Sequence, residues 1–192
     1  MSPAPRLSAD DWAMAALEVI ALRGIEGLSV EGLARQLGVT KGSFYWHYAD
    51  RPQLIEATLR VWEQRGTLDV ISHLETVDEP ADRLRSLFDL SFGDEVHGLV
   101  DVAMVARADD PTVGPVVHRV SQARIAFLER VFRELGFTPG KAAIRARVAY
   151  SAYIGHFLVR RSLPDDPVLA ARANDYRRQL LGLLSVDRPG AG

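Results

Sequence analysis

Apolar residues recur along this chain at three- and four-residue intervals almost from end to end, the spacing that gathers them on one face of an α-helix. No alternating run or hairpin signal interrupts the pattern, so an all-α fold of about nine helices is predicted. The first opens at Ser8, where a capping box with Asp11 is available, and presents Trp12, Ala15, Ala16, Val19 and Ile20 before Gly24 and Gly27 end it. Two short helices follow, Val30 to Leu37 and Lys41 to His47. Asp50 then caps a long helix with Pro52 in its first turn, running to about Leu74 with a weak point at Gly66.

Val77-Asp78-Glu79-Pro80 reads as a boundary. Beyond it the periodicity predicts helices near 80–92 and 97–108, a break at Asp109-Asp110-Pro111, and a long helix that stops at Gly136. Thr138-Pro139 and Asp166-Pro167 open the last two, which end near Leu163 and Leu184. The expected organisation is a three-helix module over residues 1–50, a connecting helix over 51–74, and a larger helical domain over 75–192.

The densest information lies between Ser29 and His47. Val30, Leu33, Ala34 and Leu37 share a face, and Ala34 is small where two helices must cross. Gly38 can adopt the left-handed conformation that reverses the chain, while Val39 and Phe44 plug the corner. Tyr48 and Leu54 close the module against the first helix. With Phe44 and Tyr48 inward, Thr40, Lys41, Ser43, Tyr45 and His47 face out. A short rigid helix with donors and flat rings on its outer side fits the major groove of DNA.

Lys41 and Ser43 are the candidates for base-edge hydrogen bonds, and Thr40, Tyr45, His47 and Arg51 for phosphate contacts. Trp46 would pack on sugar or a thymine methyl, Gly42 lets the backbone approach, and Ser29 opens the motif and joins the set. Tyr45, Trp46 and His47 also fit a structural role, Trp46 as readily as the DNA-facing one, an alternative that spacing alone leaves open.

Composition changes this picture little. The formal charge is −2 and the hydrophobic content 47%, which argues for a filled core and against disorder but does not advertise a nucleic-acid partner. Lys41 and Arg51 flank the presumed reading helix. The absence of Cys removes disulfides and thiolate metal sites. No apolar run reaches bilayer-spanning length and Met1 to Arg6 lacks the core of a signal peptide, so a cytoplasmic protein without membrane contact is expected. The five histidines show no metal-protease or di-iron spacing. There is no phosphate-binding glycine loop and no nucleophile elbow, so no catalytic residue, metal or cofactor is expected.

Residues Ser8 to about Leu59 resemble the N-terminal domain of TetR-type (tetracycline-repressor-like) transcriptional regulators. The likeness is carried by Trp12, Ala15-Ala16, Val19, Gly24, Gly27-Leu28-Ser29-Val30, Leu33-Ala34, Leu37-Gly38-Val39, Phe44-Tyr45-Trp46-His47-Tyr48, Arg51 and Leu54. The family usually has an aliphatic residue at Trp12 and often Lys at Arg51. Some members carry a basic or neutral residue at Glu31, where an acid would repel phosphate. The resemblance implies an all-helical homodimer on a palindromic operator in double-stranded DNA. It also implies a C-terminal domain that binds a small effector, and repression relieved when the effector binds. A helical protein–protein adaptor retaining the helix-turn-helix shape is the competing reading.

Two C-terminal helices fit a dimer interface: the one after Pro139, apolar or small nearly all round, and the last, with a clean apolar stripe. The expected contacts are Arg147, Tyr150, Ser151, Ile154, Leu158, Leu169, Ala173, Tyr176, Leu180 and Leu183. An effector pocket among the middle helices would be lined by Trp62, Phe88, Phe92, Met104, Phe127, Tyr150, Tyr153 and Phe157, with His97, His118 and His156 as polar points. The same residues also suit plain core packing.

Overall fold

The computed structural model describes residues 7–167 and 173–185, and within them every regular element is helical. Helix α1 (Ala9–Arg23) starts where the sequence places it. Ser8 Oγ accepts the Asp11 amide and the Asp11 side chain accepts the Ser8 amide. The short helices α2 (Val30–Gln36) and α3 (Lys41–Phe44) follow. Helix α3 is one turn long, because residues 45–47 continue as a turn rather than as helix.

The corner between them is a Schellman ending. Gly38 sits at φ +68°, its amide donates to the Arg35 carbonyl, and the Val39 amide reaches back to Ala34 at 2.9 Å. Those bonds satisfy carbonyls that the end of α2 would otherwise leave open.

Asp50 caps α4 (Arg51–Glu63) by accepting the Gln53 amide. The connecting helix then passes through a π-helical turn, Gln64–Leu68, into α5 (Asp69–Leu74). The weak point expected at Gly66 is therefore a change of helical pitch within a continuous rod. The remaining elements are α6 (Pro80–Gly93), α7 (Glu95–Val105), α8 (Gly114–Glu134), α9 (Pro139–Ser162) and α10 (Ala173–Ser185). Helices α8 and α9 pair along their lengths as a hairpin, and α10 packs on α6 and α9.

Three apolar clusters hold the elements. Trp12, Ala16, Leu33, Phe44, Tyr48 and Leu54 form the core of the N-terminal module. Phe88, Phe127, Phe132, Ala146, Tyr153 and Phe157 belong to the C-terminal core. A third cluster joins the two: Leu17, Ile20 and Ala21 of α1 and Leu59 and Trp62 of α4 pack on Val100, Ala103 and Met104 of α7 and Val117 of α8. Helix α1 thus supports the α2–α3 corner with one part of its surface and fastens it to the C-terminal helices with another. Met104, expected in a pocket, is fully buried in this junction, a correction that follows from the phase of α7 against α1.

Candidate nucleic-acid interface and central cavity

The α2–α3 corner is rooted by rings. Phe44 is fully buried and meets Trp12 edge to face at 5.4 Å, while the Tyr48 hydroxyl donates to the Ala9 carbonyl at 2.7 Å. With those two residues inward, the intervening side chains turn outward. Trp46 is 83% exposed and Tyr45 55%, so the alternative that they complete a core does not describe this structure. Thr40 and Lys41 are exposed, Ser43 and His47 half-buried. Thr40 caps α3 by position but its side chain makes no capping bond, which leaves the hydroxyl available. Ser29 is exposed and spends one lone pair on the Gly32 amide. A Cβ built on Gly42 would touch only Thr40 Oγ1, at 3.6 Å, so the fold itself places no demand for glycine there.

Two cations behave differently from expectation. Lys41 Nζ is ion-paired with Glu31; this contact holds the Glu31 carboxyl below the usual carboxylate range and raises Lys41. Glu31, set aside in the sequence reading, is thus a direct neighbour of the reading helix. Arg51 is turned inward. Its Nε donates to the Leu28 carbonyl at 2.8 Å and its Nη2 to Ile25 at 2.7 Å, so it staples the 25–28 turn to α4 rather than holding its charge out to a phosphate.

A cavity of about 280 Å³ opens between the π-turn, α6, α8 and α9, at the small end of ligand-site sizes. Of the residues expected there, Phe88, Phe92, His97, Phe127, Tyr150 and Tyr153 do line it. Others do not. Trp62 is buried and uses its indole N–H to hold Asp101 at 2.6 Å. His118 is exposed on α8. Phe157 is fully buried in the C-terminal core. His156 packs against the rings of Phe92, Phe157 and Tyr176, with neither ring nitrogen bonded. Burial and the nearby Arg160 push His156 down to about 4.

The sequence reading missed the charged pair behind the cavity. Asp101 is fully buried on α7 and accepts from Trp62, from Arg124 of α8 and from the Tyr153 hydroxyl. Burial alone would raise its carboxyl; Arg124, with His97 and Tyr153 behind it, outweighs that and keeps it below the usual range. Arg124 is largely buried, which disfavours its charge, but Asp101 more than restores it. Tyr153 is raised by burial and by Asp101, so it donates as a neutral phenol.

Residues 14–58 match the family described as bacterial regulatory proteins, tetR family. The N-terminal module is thus similar to that of TetR-type regulators. Two relatives from Pseudomonas putida align over 109 residues at 28% identity, each over 50% of this chain: the HTH-type transcriptional regulator SrpR, over 51% of its length, and the HTH-type transcriptional regulator TtgW, over 81%. The chain therefore spans about half of SrpR. A TetR transcriptional regulator from Legionella pneumophila superimposes with a TM-score of 0.76 at 16% identity, covering 93% of this chain and 98% of that one. A transcriptional regulator from Rhodococcus sp. Rha1 gives 0.72 at 22%, covering 93% and 96%. At such identities these structures establish that the TetR fold extends through both halves of the chain.

The TetR fold leaves one apolar surface on α9 and α10 uncovered: Ile144, Val148, Leu158, Val159 and Leu183 are all exposed large hydrophobics. Of the expected interface residues, Ser151, Leu158 and Leu183 lie exposed, and Arg147 is exposed but paired with Glu129. Tyr150 faces the cavity, and Ile154, Tyr176 and Leu180 pack in part against the C-terminal core. These four are half-buried, and the outward stripe of α9 runs through 144, 148, 151 and 158. Leu169 and the side chain of Ala173 lie outside the described residues.

Proposed function

We propose that this chain is a sequence-specific transcriptional regulator that binds a palindromic operator in double-stranded DNA as a homodimer, acts in the cytoplasm, and represses until a small molecule enters the central cavity. The observation that carries the reading is the division of the aromatic run 44–48. Phe44 and Tyr48 are buried while Tyr45 and Trp46 stand in solvent, which builds a rigid outward platform of the kind that enters a groove. Lys41 and Ser43 are the proposed base readers, with Thr40, Tyr45 and His47 as phosphate contacts and Trp46 on sugar or methyl. Arg51 acts by fixing the start of α4, and Ser29 by capping α2.

The dimer is supported by the uncovered stripe on α9 and α10, since an apolar face of that kind calls for a partner. Release is supported by how the cavity is wired. Arg124, in its wall, holds Thr67 Oγ1 and the Gly66 carbonyl of the π-turn. That turn continues directly into α4, which carries the reading head, and Arg119 of α8 grips Glu63 of α4 through two bonds of 2.8 and 2.7 Å. A ligand that shifts this wall would tilt α4 and change the separation of the two heads, a hinge or shear response.

The test is binding to selected palindromes against random duplexes at two salt concentrations. A regulator prefers its site by about a thousandfold or more and loses affinity steeply with salt, and Lys41→Ala with Tyr45→Ala removes the preference while leaving the fold intact. Equal affinity for both duplexes would favour the adaptor reading instead.

A further inference from the structure

A guanidinium in the wall of an apolar chamber ordinarily selects a carboxylate or phosphate. Arg124 occupies that place, but the protein itself has already taken four of its five N–H donors. Nε donates to Thr67 Oγ1 at 3.0 Å, Nη2 to the Gly66 carbonyl at 3.1 Å and to Asp101 Oδ1 at 3.2 Å, and Nη1 to Asp101 Oδ2 at 2.6 Å. No pair of N–H groups is left to fork onto a second anion. Asp101 is saturated in turn by Trp62 Nε1 and the Tyr153 hydroxyl, each at 2.6 Å. The other charged groups of the wall are engaged too: Arg65 pairs with Asp10, and Asp94 caps α7 through the His97 amide.

The buried pair sums to zero charge. An incoming anion would have to draw Arg124 away and strand a buried carboxylate, which is strongly unfavourable. What remains for a ligand is an apolar chamber, with Phe88, Phe92, Phe127, Leu87 and Leu128 in its walls. Its open polar points include His97 Nε2, buried without a hydrogen-bond partner, and the Tyr150 hydroxyl, bonded to Ser121 Oγ at 2.9 Å. Two hydroxyls bring two hydrogens and spend one on each other, so this pair can still donate and accept.

We propose that the cavity takes an uncharged, flat, mainly apolar molecule bearing one hydroxyl or carbonyl, read by Tyr150, and that Asp101 is the residue that keeps carboxylates out. This rests on the cavity being the effector site. The volume holds one or two fused rings.

Titration calorimetry of the full chain with 2-naphthol and with 2-naphthoate at neutral pH tests it. The expected result is 2-naphthol tighter by at least about tenfold. Tyr150→Phe weakens 2-naphthol by about fivefold or more, as loss of one hydrogen bond does, and Asp101→Asn narrows or reverses the ratio. If Asp101→Asn fails to fold, the parental ratio and Tyr150→Phe still decide. 2-Naphthoate binding as tightly as 2-naphthol would overturn the ligand class while leaving the cavity as a site, and an unaffected Tyr150→Phe would overturn the reading of the hydroxyl. Binding of neither would remove the cavity as a ligand site and this inference with it.

Discussion

Glu31 sets how much positive charge the reading helix offers a phosphate. Its pairing with Lys41 offsets a cation on the outer side of the α2–α3 corner, which on the proposed reading faces DNA. Glu31→Gln should therefore raise affinity for random duplex and steepen the dependence of log K on log salt by about one unit per head, as read in a salt titration; an unchanged slope would mean that Glu31 does not offset charge at the DNA-facing surface. His156 carries a different prediction. Folded, it titrates at about 4 against 6.5 when free, so between those values the unfolded chain binds a proton that the folded chain refuses. Its contribution is complete above pH 6.5 and is lost as pH falls toward 4. His156→Phe should flatten the fall in melting temperature across that window, and an equal fall in both proteins would place the acid sensitivity elsewhere. His156 itself was visible in the sequence, but not its isolation among Phe92, Phe157 and Tyr176, which depends on how α6 and α10 close over α9.

Among the helices, periodicity and punctuation made much of the fold legible. Ser8, Gly38, Asp50, Gly136 and the Thr138-Pro139 pair each mark a helix end where the structure has one, because caps and glycine turns are local chemistry. What spacing could not reveal was phase between elements. Tyr150 reads equally as interface or cavity until α8 is laid against α9, and Arg51 reads as a free cation until the 25–28 turn folds beneath it. The Asp101–Arg124 pair did leave a trace: Asp101 is a lone acid among Leu99, Val100, Val102, Ala103 and Met104, and an acid in an apolar run needs a buried partner. Helix α7 also shows why Gly98 has no side chain. A Cβ there would lie 2.3 Å from Phe157 Cε2, against a ring buried in the C-terminal core. Gly98→Ala should cost about 1–3 kcal/mol and lower the melting temperature by about 2–4 °C for each of them. An unchanged melting curve would show that α7 and α9 can separate freely.

At the scale of the whole molecule, the proposed function requires two copies to associate. The outward division of the aromatic run was largely legible in the sequence, whereas the uncovered surface of α9 and α10 was legible only as a pair of apolar helices; the stripe through Ile144 and Val148 needed coordinates. Ile144→Glu should leave the circular dichroism spectrum intact and shift the sedimenting species from dimer to monomer, with operator affinity falling alongside; a persistent dimer would place the interface on another surface. The TetR likeness covers the reading head and the helical layout, while the neutral wall of the cavity follows from the Asp101–Arg124 pair in this chain. Selection of duplexes from a random pool by the intact protein bears most directly on whether the α2–α3 corner reads DNA. Enrichment of a palindrome whose half-sites lie about 34–36 Å apart, or a multiple of that, is predicted, with protection lost when Tyr45 and Lys41 are replaced by Ala. A pool that emerges without sequence preference would contradict it.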